Sequence, residues 1–348
     1  MALMHSSSSE ALPTELDLWI TYLTQLAQEK STVQVFNPLA NFDSSNTIEL
    51  EVPGVGYSYL DLPHMMLYTK QKIVNADGSD ITAADNSDAT LVDVSINGTV
   101  ISQSTLTYPY RAFIETKLNY DKAAKDTHLQ QRMWYEDSPG HLDSVTISPS
   151  VLLAHAQALE KSPAKYPVNR IDIKTVTITQ GLRDKTIDNL FLNSLPQRVI
   201  IGFVDNRAFN GDYTRNPFNF QHFNLNYIQM HVDGDPVPAQ PLTPDFSNDL
   251  YMECYNTLFS GTGIHWKDEG NNISWSAYPK GSTLFAFDLS PDWSANQPHW
   301  NLQRQGTLRL DLRFAAPLAQ PINCIIYAEF QNLIEIDKNR NVIVDFSI

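Results

Sequence analysis

The stretch that most constrains the fold is residues 306–346. Leu308, Leu310, Leu312 and Phe314 alternate with Arg309, Asp311 and Arg313, the period of two expected of a strand with one buried face. After residues 315–321 the chain returns through residues 322–336, where Ile325, Ile326, Tyr327, Phe330 and Ile334 supply the β-branched and aromatic side chains that strands favour. The polar run Asp337-Lys338-Asn339-Arg340-Asn341 turns it again into Val342-Ile343-Val344-Asp345-Phe346. Three or four antiparallel strands closing one sheet predict a β-sandwich, and nothing in them has catalytic character.

Upstream, the same pattern recurs. Residues 47–52 alternate cleanly and 65–74 read as a further strand. Residues 91–96 and 99–101 flank Asn97-Gly98, the strongest short-range hairpin signal. Strands are also predicted at 170–179, 197–205, 225–232 (ending at the turn Asp233-Gly234) and 283–289, with 206–221 as loop. Helices are fewer. Residues 15–30 carry Leu16, Trp19, Ile20, Leu23 and Leu26 at near-helical spacing behind a polar arm, 1–9. Residues 111–119 follow Tyr108-Pro109-Tyr110, residues 251–259 are helix-like, and 150–161 lie between the cap Ser148-Pro149-Ser150 and the stop Ser162-Pro163. Twenty prolines and fourteen glycines match an all-β chain with many turns.

A chain of 348 residues exceeds one ordinary domain, and an internal repeat shows how it divides. Strand, Asn97-Gly98, strand, then helix at 110–119 is echoed by strand, Asp233-Gly234, Pro236-Val237, then helix at 251–259. Each helix leads into a polar segment with tryptophan: Trp134 in the first, Trp266 and Trp275 in the second. The second copy continues with further strands, whereas the first has only residues 141–148 before the next helix. The division is an N-terminal arm and helix (1–32), a first sandwich that is incomplete as the sequence stands (33–149), a connecting helix and linker (150–169) and a second sandwich (170–348).

A formal charge of −15 repels phosphate backbones, and no run of Lys or Arg offsets it. Direct sequence-specific nucleic-acid binding is therefore not expected. Cys254 and Cys324 sit in apolar settings and read as buried free thiols of a reducing compartment. No apolar run has the length of a membrane span, and residues 1–10 lack a signal-peptide core. Without such a signal, Asn97-Gly98-Thr99 and Asn272-Ile273-Ser274 are turn chemistry, not glycan acceptors.

Candidate chemistry is thin. His155 on the predicted helix reads as a packed or surface histidine. His265, Asp268 and Glu269 have no second histidine at helical spacing and read as solvated loop residues. Gly261-Thr262-Gly263 lacks both the third glycine of a dinucleotide loop and the lysine of a phosphate loop. Asp233-Gly234-Asp235 is interrupted by Pro236 before it could be a calcium loop. Phe218, Phe220, Phe223 and Tyr227 could stack on bases or sugars, but in an acidic chain with sheets to fill they read as core or interface packing. No residue is assigned a catalytic, cofactor-binding or metal-binding role, no cofactor is expected, and the chain reads as a scaffold and not an enzyme.

Several longer motifs carry a resemblance. In the second half they are Ser148-Pro149-Ser150-Val151-Leu152-Leu153-Ala154-His155-Ala156 with Ala164-Lys165-Tyr166-Pro167, and Arg198-Val199-Ile200-Ile201-Gly202-Phe203-Val204-Asp205-Asn206-Arg207-Ala208-Phe209-Asn210-Gly211. With them go Asn216-Pro217-Phe218-Asn219-Phe220-Gln221-His222, Asp268-Glu269-Gly270-Asn271, Tyr327-Ala328-Glu329-Phe330 and Glu335-Ile336-Asp337-Lys338-Asn339-Arg340-Asn341-Val342-Ile343. In the first half they are Val94-Ser95-Ile96-Asn97-Gly98-Thr99, Thr107-Tyr108-Pro109-Tyr110-Arg111 and Trp134-Tyr135-Glu136-Asp137. Together they resemble a family of largely uncharacterised proteins in invertebrate genomes and viral elements, associated with the hexon-like major capsid proteins of adenovirus-like, Polinton-like and adomavirus-type elements. Relative to that family's pattern, this chain lacks a short piece near Thr90 and Leu91 and a long piece near Leu142 and Val145.

The resemblance implies an all-β double jelly roll with a few short helices. It implies a structural subunit of an icosahedral dsDNA-virus capsid, assembling as a pseudo-hexagonal homotrimer beside neighbouring capsomers, penton and minor capsid proteins. It places the protein in the virion, made in the host cytoplasm, with the nucleus as an assembly site to consider. The alternative reading is a β-sandwich module that binds a glycan or receptor through exposed loop aromatics, as a spike or minor capsid protein.

Overall fold

A computed structural model describes residues 107–126 and 159–344, apart from 161, 192–193, 213, 266–269, 291–294 and 296–303, and the backbone of four short strands outside those ranges. The strands expected at 47–52 and 65–74, the helix at 15–30, nearly all of that at 150–161 with His155, and the junctions at Thr90, Leu91 and Leu142 lie outside the described residues. The chain forms two compact units, Met1–Met65 with Asp143–Ala156 and Met66–Leu142 with Gln157–Ile348. In the first, β1 (Ser58–Tyr59) pairs antiparallel with β4 (Val145–Thr146).

In the second unit the Asn97-Gly98 hairpin is present as β2 (Val94–Ile96) and β3 (Thr99–Ser102). The helix expected after it is α1 (Tyr108–Asn119), with a proline in its first turn and Arg111 paired to Glu115 at 3.1 Å one turn on. A short α2 (Lys122–Asp126) follows. The remainder builds a sandwich from β5 (Ala164–Ile178), β6 (Asp184–Ile187), β7 (Arg198–Asp205), β8 (Leu225–Val232), β9 (Asp235–Leu242), β10 (Leu284–Asp288), β11 (Leu308–Phe314) and β12 (Ile322–Ile336). One-turn α3 (Asn206–Phe209) starts the stretch expected to be loop, α4 (Met252–Ser260) lies between β9 and β10, and β13 (Val342–Val344) ends the described chain.

Antiparallel pairing sorts the strands into two sheets. One runs β10-β7-β12-β5, with β13 beside the far end of β12; the other runs β6-β11-β8-β9. Numbering the eight sandwich strands in chain order, the sheets read sixth-third-eighth-first and second-seventh-fourth-fifth. That order is a jelly roll, two Greek keys wrapped into a sandwich.

The expectation that the C-terminal strands close one sheet is corrected here. Strands β12 and β13 are partners, but β11 and β12 lie in opposite sheets. The connection at 315–321 crosses the sandwich, and Leu318 is buried in it. Leu318 N–H donates to the Leu182 carbonyl at 3.0 Å and Gly181 N–H to the Leu318 carbonyl at 2.9 Å. Those residues belong to the β5–β6 connection, so two sheet-to-sheet crossings are tied together at one end. The alternation in β11 is otherwise as expected: Leu308, Leu310, Leu312 and Phe314 are buried while Arg309 and Arg313 are exposed. They meet Val199, Ile201 and Phe203 of β7 across the core, with Phe203 and Phe314 edge to face at 5.9 Å.

Candidate functional site: the covered face of the first sheet

Strand alternation gives β7 an outer row of Ile200, Gly202 and Val204, and the pairing register places Tyr327 beside Ile200 and Ile325 beside Gly202 on the same face. The centre of this face should be polar if solvent touched it, yet it is apolar and buried. Its lid starts at Phe220, which is fully buried. A Cβ on Gly202 would lie 2.5 Å from the Phe220 ring and 2.7 Å from Leu284, so glycine is what lets the ring lie on the sheet. Phe220 is pinned by its N–H to the Gly281 carbonyl and by the Thr283 N–H to its own carbonyl, both at 3.0 Å.

Helix α1 closes the lid. Phe113 stacks on Phe218 at 4.6 Å and lies 6.0 Å from Phe220, while Tyr110 meets Phe220 edge-on at 6.2 Å and stacks on Phe209 at 5.7 Å. Ile114 and Leu118 are also buried. Lys125 of α2 fixes the end of the helix: its ammonium donates to the carbonyls of Lys117 and Asn271, each at 3.0 Å. A helix that belongs by sequence to the first hairpin-helix copy is therefore seated on the sheet of the second.

Under the lid lies a buried polar row. Arg198 pairs with Glu329 at 3.4 Å, and the Tyr327 hydroxyl donates to Glu115 at 3.5 Å. Burial raises the Glu329 pKa; Arg198 opposes that shift and Glu115 adds to it. Burial likewise holds the Tyr327 phenol well above its ordinary value. Such a row binds elements together, since each charge is costly to leave alone, but it has no nucleophile beside a base. The thiols are no substitute: Cys254 is free, buried and pushed up to about 12, and Cys324 is raised by burial too.

The motifs weighed in the sequence now have places. Phe220 is core, Phe218 packs on α1, and Tyr227 lies under the Arg313 guanidinium at 5.4 Å. Gly261 ends α4 where a Cβ would come within 2.6 Å of the Ala286 carbonyl oxygen, which is close helix-on-strand packing. Asp233 and Gly234, with φ of 52° and 95°, make the β8–β9 turn, and the Asp233 carboxylate accepts from Thr307 N–H at 2.7 Å. His265 is exposed, and Asp268 and Glu269 lie outside the described residues. Among the described residues no group of three or more His, Cys, Asp or Glu could hold a metal ion, and no helix is long and apolar enough to cross a membrane. The Arg198–Glu329 pair was missed in the sequence. The available signal was a charge at the edge of one apolar run and another inside a second.

No model of a known protein family matches the chain. An uncharacterised protein of Caenorhabditis elegans is 30% identical over 197 residues, which are 55% of this chain and 46% of that protein. The chain thus spans under half the length of the curated relative it matches. Among solved structures, the Sputnik virophage overlaps 54% of this chain and 39% of its own at 12% identity and a TM-score of 0.34. The PBCV-1 virus capsid overlaps 53% and 52% at 12% identity and 0.32, and the mavirus major capsid protein 54% and 42% at 8% identity and 0.30. The jelly roll is established by strand order and register in this chain itself, with a helix from the upstream copy seated on its outer face.

Proposed function

We propose that the chain is a hexon-like major capsid protein, a structural subunit of an icosahedral viral capsid with no enzymatic role. In this reading two jelly rolls stand side by side, within residues 33–149 and 170–348, and three chains close a pseudo-hexagonal homotrimer. The observation that carries it is the hairpin-helix unit found twice, β2–β3 with α1 and β8–β9 with α4, the first helix serving as lid for the second jelly roll. A lone binding module has no need of a buried outer face; a subunit made of twin sandwiches does, because that face fastens one copy to the other. The sequence motifs point the same way. Loops between strands then meet neighbouring capsomers, penton and minor capsid proteins in the virion, and the charge of −15 keeps the subunit from sequence-specific contact with the genome.

Light scattering on the purified protein, with electron microscopy of the same sample, tests this. The expected result is a mass three times that of the chain and hexagonal outlines. A protein that stays strictly monomeric and forms no particles under any assembly condition overturns it.

A further inference from the structure

One concave site in the jelly roll is used by nothing described so far. An open cleft of about 410 Å³ is lined by residues 219, 221–224 and 279–281, where the loop entering β8 meets the one entering β10. Its floor is strained: Phe223 and Asn224 are consecutive non-glycine residues in the left-handed region, with φ of 44° and 53°, a conformation that costs free energy and clusters at ligand sites. The strain is held by short hydrogen bonds. Asn224 N–H donates to His222 Nδ1 at 3.0 Å, and Leu225 N–H to the His222 carbonyl at 2.8 Å.

These contacts fix what the cleft offers. With Nδ1 accepting, the neutral His222 carries its proton on Nε2, and stacking on Phe246 at 4.1 Å sets the ring plane. Burial lowers the His222 pKa and favours that neutral form. Gly281, at φ 110°, makes room for Asn219, whose Oδ1 would lie 2.7 Å from a Cβ there. Among the described residues, the side-chain amides of Asn219 and Gln221 and the ammonium of Lys280 have no hydrogen-bond or ion-pair partner.

Three amides (Asn219, Gln221 and Asn224), one imidazole, one ammonium and a phenyl ring line the cleft. Amides donate and accept at once, as vicinal hydroxyls require, and an aromatic ring suits the C–H face of a pyranose. A single cation in a chain of charge −15 matches one carboxylate better than a phosphate dianion. We propose that this cleft binds a carboxylated sugar presented as the terminal residue of a glycan, its carboxylate on Lys280 and its hydroxyls on Asn219 and Gln221. The site is independent of whether the chain builds a capsid.

Saturation-transfer NMR titrations of the full chain with methyl glucuronide, methyl glucoside and free glucuronic acid test the proposal. Methyl glucuronide is expected to bind saturably with a dissociation constant on the order of 1 mM, and the uncharged glucoside about tenfold more weakly. Lys280→Met should erase that tenfold preference and Lys280→Arg retain it. Lys280 is exposed, so an unchanged melting curve shows that the variant is folded. The proposal is overturned by no saturable binding of the glucuronide, by an acid preference that survives Lys280→Met, or by binding of the free acid without the glycoside.

Discussion

Strand β7 is buried from Arg198 to Val204, and β12 from Ile322 to Asn332, on both faces; β11 alternates buried and exposed almost residue by residue. Both sheets line the same core, so the difference lies outside. Over β11 the outer face is an open polar lattice. Asp311 accepts from Thr186 at 2.6 Å and Arg309 at 2.8 Å, His231 approaches it at 3.2 Å, and Arg313 pairs with Asp184 at 2.7 Å. Over β7 and β12 the corresponding positions are Ile200, Gly202, Ile325 and Tyr327 under an aromatic lid. A sandwich needs one apolar face per sheet. The second apolar face on the first sheet is surplus to a jelly roll and is covered by α1 and the loop that carries Phe218 and Phe220.

The sharpest way to break this contrast is to remove the lid's centre. Phe220→Ala deletes a ring that touches the sheet below and Tyr110 and Phe113 above, and should cost about 3–5 kcal/mol in urea unfolding. Amide exchange in α1 should rise with it, because the helix loses the ring it rests on. A loss under about 1 kcal/mol with α1 still protected would mean that the covered face is not held by this cluster.

The buried pair under the lid separates the two sheets by charge. Arg198→Met leaves the Glu329 carboxylate buried without its cation and should cost about 3–5 kcal/mol at neutral pH. Glu329→Gln should cost at least as much, because it leaves the Arg198 guanidinium, which cannot shed its charge, buried without a carboxylate. The pH dependence has a definite sign. A carboxyl whose folded pKa is raised stabilises the fold fully below its ordinary value of 4.5 and loses that stabilisation as pH rises through the folded value. Asp311 on the open lattice is shifted down: desolvation pushes it up, but hydrogen bonds from Thr186 and Arg309 together with the nearby Arg309 and His231 outweigh it, so its stabilisation is present above 3.8 and lost as pH falls. The stability deficit of Arg198→Met should accordingly shrink on mild acidification, as Glu329 takes up a proton. Stability curves of the two proteins that run parallel from pH 4 to 8 would contradict this.

What could be read from the sequence follows the range of each signal. Local patterns were enough for β7, β8, β10, β11, β12 and the Asn97-Gly98 hairpin, because a period of two or a continuous apolar run is written in neighbouring residues. Strand β6 was invisible: of Asp184-Lys185-Thr186-Ile187 only the isoleucine is buried. In β9, Pro236, Pro238 and Pro241 argue against a strand, yet prolines are at home on the sheet edge it occupies. Nothing local says that residues 315–321 cross between sheets. Helix α1 was legible as a helix and Phe220 as packing, but not that one rests on the other, nor that Arg198 and Glu329 meet, since both depend on strand register across more than a hundred residues.

The smallest expected effect lies on the open lattice. Arg313 is more than half exposed, pairs with Asp184, and sits over Tyr227 at 5.4 Å. Both contacts are wet, so Arg313→Ala should cost less than about 1 kcal/mol, a loss that shrinks further in high salt. Salt matters to the comparison because it screens exposed charges and barely reaches buried ones. The Arg198→Met deficit should hold at its full size in the same high-salt titration. If the two variants respond to salt alike, the faces do not differ in burial, and the lid of α1 over β7 and β12 is not closed in solution.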